Sequence, residues 1–129
     1  MKYFSLLIVC MISICHAQDV DPNKKLQELG IQLTELKPPV ANYVKAVQTG
    51  KLLFISGHIP DEIAGKKTRG KVGTQLTIEE GKEAARITTI GLLSTLQYYA
   101  GNLTNVKRIV KVTGMVNADP SFTQHPAAV

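Results

Sequence analysis

Three side chains able to hold or move a proton, Ser56, His58 and Asp61, crowd into the stretch LFISGHIPD. A serine, an imidazole and a carboxylate are the parts of an acyl-transfer triad, whose members converge from separate elements. Neighbours this close in an extended segment do not converge, and Ser56 sits on no sharp strand-to-helix turn of the kind that exposes a nucleophile. The stretch therefore poses a narrower question. A strand of buried character, Leu52 to Ile55, ends in small and polar residues just before Pro60, as the lining of a ligand site would.

Other chemistry-bearing residues give weaker patterns. Gly65-Lys66-Lys67-Thr68-Arg69-Gly70-Lys71 nearly spells a phosphate loop, but Val72 stands where the Mg²⁺-holding hydroxyl belongs. No helix signal follows to supply the amides that would cradle a phosphate. His16, His58 and His125 are far apart and have no carboxylate spacing that suggests metal ligation. The formal charge is +5, with Lys66, Lys67, Arg69 and Lys71 in one segment. That invites a nucleic-acid reading, although a solvated basic loop is the commoner meaning of such a run. Glu79, Lys82, Glu83 and Arg86 read as a charged helix surface. Asn102-Leu103-Thr104 fits an N-glycosylation acceptor in a eukaryotic host.

The elements that must position these residues fit one domain in 129 residues. Residues 1–17 have the anatomy of a secretory signal. Lys2 gives the positive start, Phe4 to Ile14 is apolar, and cleavage is expected after Ala17. Export to the periplasm or the exterior follows from that reading; an uncleaved leader acting as a membrane anchor is the alternative. Both cysteines, Cys10 and Cys15, lie in this leader, so a chain starting at Gln18 has no disulfide and no thiolate nucleophile. No transmembrane segment is expected once the leader is removed.

Residues 18–40 form an N-terminal helix and an extended segment. Asp21 caps the helix, Pro22 suits its first position, Gly30 stops it, and Leu26 and Leu29 are its expected buried residues. Lys37-Pro38-Pro39 then holds the chain extended. In residues 41–129, Tyr43 to Gln48 reads as a strand with one wet face and Leu52 to Ile55 as a strand covered on both sides. Thr49-Gly50-Lys51 is the turn between them. Thr77 and Glu80 form a capping box, and Ile78, Ala85, Leu92, Leu96 and Tyr99 recur on one face of a long helix closed by Gly101. Arg108 to Asn117 is a β-branched third strand with Val110, Val112 and Val116 on one side. Ser121 caps a second helix begun by Phe122 and Thr123.

In this order, NYVKAVQTGKLLFISGHIP, the capped helix and RIVKVTGMVN resemble the RidA family of reactive imine/enamine deaminases, also called the L-PSP endoribonuclease-like group. The resemblance covers Ala41 to Phe122. It implies a chorismate-mutase-like α/β (α+β) fold in which a mixed sheet carries a long helix on one face, with C-terminal strands beyond this chain. It also implies a homotrimer with clefts between subunits, and hydrolysis of 2-imino acids to 2-keto acids and ammonia with no metal or organic cofactor. Tyr43, Ser56, Gly57 and His58 fall on its cleft-lining positions, and Met115 on an apolar lining position. The arginine that clamps the substrate carboxylate and the acidic residue near the water come from later strands of the family and would lie beyond Val129.

An imine is open to attack at carbon by an oriented water, and a glycine amide can approach a substrate closely. The strand end at Ser56 and Gly57 would then be the floor under a ligand. The leading reading of these residues is RidA-like imine hydrolysis; the alternatives are a non-catalytic trimeric module that holds a small ligand, and RNA binding or cleavage. Scarce aromatics, only Tyr43, Phe54, Tyr98, Tyr99 and Phe122 in the body, argue against RNA as a partner.

Overall fold

The computed structural model describes residues 20–36 and 43–129. The leader and the Lys37-Pro38-Pro39 segment lie outside the described residues, and the strand expected from Tyr43 begins only at Ala46. Helix α1 spans Pro22–Glu28. The Asp21 carboxylate accepts the Asn23 amide at 2.9 Å, and Gly30 turns the chain away at φ 63°, where the left-handed conformation is cheapest for glycine. The expected burial of its leucines is only partial. Leu26 is half-buried and Leu29 is 58% exposed.

Strands β1 (Ala46–Thr49) and β2 (Leu52–Ile55) pair antiparallel, Ala46 opposite Ile55 and Thr49 opposite Leu52. The two-residue connection places Gly50 at φ 54°. Because successive side chains alternate across a strand, Ala46, Leu53 and Ile55 take the inner side while Val47, Leu52 and Phe54 share the outer one. The inner side holds buried and half-buried residues, and all three on the outer side are exposed. The reading of Leu52 to Ile55 as covered on both faces is corrected accordingly. A run of four apolar residues does not tell which face has a neighbour.

Helix α2 spans Ile78–Ala100. Both arms of its capping box form: Glu80 N–H donates to Thr77 Oγ1 at 3.1 Å, and Thr77 N–H donates to the Glu80 carboxylate at 2.8 Å. Gly101 ends the helix at φ 74°. The buried residues are Gly81, Ile87, Ser94, Thr95 and Leu96, so of the expected stripe only Leu96 is fully buried and Tyr99 is exposed. Small side chains explain the difference. Gly81 lets Val72 and Ala128 approach the helix backbone, and the hydroxyls of Ser94 and Thr95 find partners in neighbouring segments.

Val72 is the hub of the remaining chain. Its amide donates to Asn117 O and its carbonyl accepts from the Asp119 amide, both at 2.9 Å, making a parallel bridge to Ala118. This bridge and the β1–β2 ladder give pairings of both senses. Arg108 to Asn117 forms no ladder among the described residues, and Val110 and Val112 are exposed. A β-branched run has strand propensity, but a strand needs a hydrogen-bonded neighbour. Ser121 does not cap a helix. Its amide and hydroxyl both donate to the Asp119 carboxylate, and a 3₁₀ turn over His125–Ala128 follows. The buried apolar set is Ala46, Val72, Leu76, Ile87, Leu96, Leu103 and Ala128.

Candidate functional site

The strand end emerges from β2 into a polar cleft against α2. The last ladder bond is Ser56 N–H to Lys45 O at 2.9 Å, and beyond it the His58 ring turns inward. His58 Nδ1 lies 2.9 Å from Ser56 O, and Nε2 lies 2.8 Å from Thr95 Oγ1. A carbonyl only accepts, so Nδ1 carries the hydrogen and Nε2 accepts from the threonine hydroxyl in the neutral ring. On the opposite wall the Thr34 amide donates to Ser94 Oγ at 3.1 Å, and that hydroxyl donates to Ile90 O at 2.8 Å. Glu35, Lys45 and Asp61 are among the other residues that line this cleft of about 60 Å³. At roughly 30 Å³ per water, that is room for two.

The five residues carried over from the resemblance are differently placed. His58 lines this cleft. Ser56 is half-buried, and its hydroxyl oxygen is buried without a hydrogen-bond partner. Gly57 is exposed, with open space where a side chain would stand. Tyr43 is exposed, and Met115 is 93% exposed. His58 makes its side-chain contacts with a backbone carbonyl and Thr95 rather than with Asp61 or the Ser56 hydroxyl, so no triad assembles. Sequence reasoning missed Thr34, Ser94 and Thr95. Two adjacent hydroxyl residues within the apolar stretch GLLSTL were the available signal.

A larger groove of about 290 Å³ lies along the other side of α2, floored by Ile31, Ala85, Ile90, Leu93 and Val129 with Lys82 and Arg86 beside them. It has apolar walls and no pair of groups suited to acid–base chemistry. Among the described residues, no group of three or more His, Asp or Glu side chains is placed to hold a metal ion. No helix of the described residues is long and apolar enough to cross a membrane.

The charges of the basic segment are partly matched. Lys66 pairs with Glu83, Arg69 with Glu62 at 3.3 Å, and Arg86 with Glu83 at 3.7 Å. The hydrogen bond from Lys66 holds the Glu83 carboxyl below its usual value. Lys45, Lys51, Lys67, Lys71, Lys107, Arg108 and Lys111 have no carboxylate partner among the described residues.

The sequence pattern of the family described as "YjgF/chorismate mutase-like, putative endoribonuclease" matches residues 23–129. Protein TCP17 of Trypanosoma cruzi is 41% identical over 99 residues, which cover 77% of this chain and 62% of that protein. The chain thus spans under two thirds of that relative's length. A crystal structure from Shewanella oneidensis MR-1, described as a "putative endoribonuclease", superposes with a TM-score of 0.76 at 30% identity, covering 84% of this chain and 72% of that one. An Agrobacterium tumefaciens protein of unknown function gives 0.68 at 30% identity, covering 81% and 64%.

These descriptions overturn the expectation that RNA is not a partner. The count of aromatics was the wrong measure, because stacking depends on exposure, and Tyr43, Phe54 and Tyr98 all lie at the surface. Matched over residues 23–129 and superposing on two solved relatives, the chain belongs to the YjgF/RidA family and has its small α+β, chorismate mutase-like fold, a mixed sheet with a helix packed on it.

Proposed function

We propose that this protein is an RNA-binding member of the endoribonuclease-like group, holding single-stranded RNA against the outer face of the β1–β2 hairpin. The carrying observation is that face itself. Phe54 stands 60% exposed between Val47 and Leu52, with Lys51 in the adjoining turn. A base stacks on an exposed ring whatever its sequence, while lysines without carboxylate partners track the phosphates. The descriptions of the family and of the Shewanella structure support the same class of ligand. Binding is favoured over cleavage at His58, because both of its ring nitrogens are engaged within the protein.

The test is fluorescence anisotropy with a labelled oligouridylate across a salt series. Affinity falls with salt with a slope of about −0.7 per phosphate contacted. Phe54→Ala weakens binding by about 1–3 kcal/mol, the usual worth of one stacked base. Absence of binding at low salt, or an unchanged affinity in the alanine variant, removes the reading.

One observation favours a second reading, hydrolysis of 2-imino acids. The buried Ser56 hydroxyl has no partner and adjoins the open backbone of Gly57, as a lining that awaits a ligand would. Release of 2-keto acid and ammonia from a freshly generated imine, lost in Ser56→Ala, supports it; no release above the uncatalysed rate excludes it.

A further inference from the structure

The exit of β2 is held in an unusual way. The ladder stops at Ser56, and no backbone hydrogen bond is donated by Gly57, His58 or Ile59 to another described residue. The His58 ring is the anchor of this exit, through Ser56 O on one side and Thr95 Oγ1 on the other. Thr95 is 0% exposed, so its hydroxyl makes this bond away from bulk solvent. Without that donor Nε2 forfeits the bond, and the ring loses its tie to α2.

We infer that Thr95 is a positioning residue whose hydroxyl donates to Nε2 of the His58 ring, already Nδ1–H through the Ser56 carbonyl, and thereby sets the direction of the strand exit at Ser56–Ile59. Its neighbour Ser94 does the equivalent for the opposite wall by receiving the Thr34 amide. Adjacent hydroxyls on α2 thus pin both sides of one cleft. The latch also determines how the exit is presented beside the hairpin face that carries Phe54. This functional consequence rests on the RNA-binding reading; the latch itself does not.

The first readout is ¹⁵N NMR of the His58 ring in the full chain, in the neutral form. The wild type shows protonated Nδ1 and an unprotonated, hydrogen-bonded Nε2. Thr95→Val, which keeps the shape and removes the hydroxyl, loses the hydrogen-bond shift of the Nε2 resonance and speeds amide exchange at Gly57–Ile59. Thr95→Ser restores the wild-type signature. Affinity for oligouridylate falls about fivefold in Thr95→Val and recovers in Thr95→Ser, the fold-change that corresponds to about 1 kcal/mol for one net hydrogen bond.

An Nε2–H ring in the wild type overturns the latch, and that measurement requires no variant to fold. An unchanged Nε2 resonance and unchanged exchange in Thr95→Val overturn it equally. A shifted Nε2 resonance with unaltered RNA affinity overturns the positioning role alone. Failure of the wild type to bind RNA defeats the proposed function, while the tautomer still decides the latch.

Discussion

Helix α2 contains two interior glycines in different surroundings, and substituting alanine at each separates helix propensity from packing. At Gly91, a Cβ would meet only His58 Cδ2, at 3.6 Å, an ordinary contact. Alanine there gains the propensity difference of roughly 0.8–1.0 kcal/mol with little steric cost. At Gly81, which is buried, a Cβ would stand 3.1 Å from Val72 Cγ2 and 3.5 Å from Ala128 Cβ. Val72 is itself buried and is held by backbone bonds to Asn117 and Asp119, so it yields poorly. Overpacking of this kind costs about 1–3 kcal/mol, which cancels or exceeds the same propensity gain. Thermal unfolding followed by circular dichroism reads both changes. Gly91→Ala raises Tm by about 3–4 °C, from the relation between ΔΔG and Tm in a domain of this size, whereas Gly81→Ala leaves it unchanged or lowers it. Equal shifts in the two variants, or a lower Tm for Gly91→Ala, would refute the packing argument.

Thr77→Ala removes one arm of the capping box and costs about 1 kcal/mol of stability, measured as a lower urea midpoint with an unchanged slope. The Ser121 hydroxyl and amide hold the Asp119 carboxyl below its usual value of 3.8. A lowered folded value means that its stabilisation is complete above the ordinary aspartate range and is lost as pH falls through the folded value. The Tm difference between wild type and Asp119→Ala is therefore constant from pH 7 to about 5 and narrows in stronger acid; a difference that grows on acidification contradicts this. For the leader we propose cleavage after Ala17, so that N-terminal sequencing of exported protein reads from Gln18. A start at Met1 discards that reading.

Much of the local structure was legible because it rests on short-range chemistry. The Asp21-Pro22 start, the Thr77/Glu80 box and the Gly50 turn each depend on atoms within a few residues, and each stands where its residues indicated. What failed depends on distant partners. The buried face of α2 is set by what packs on Gly81 and Thr95, and the fate of Arg108 to Asn117 by whether a strand lies alongside. The candidate site divides in the same way. The inward turn of His58 follows from a hydroxyl thirty-seven positions away, which no local pattern in SGHIP encodes. The exposed rings of Tyr43, Phe54 and Tyr98 were not legible for a related reason: composition counts rings without saying which of them face outward.

The exposed run from Arg108 to Asn117 has a consequence for handling and for evolution. A β-branched segment that has no ladder among the described residues is a template on which another chain can form its own strand. Lys107, Arg108 and Lys111 place like charge along this template and oppose identical copies stacking in register. Neutralising those three cations lowers the concentration at which the protein becomes turbid, even though none of them is buried.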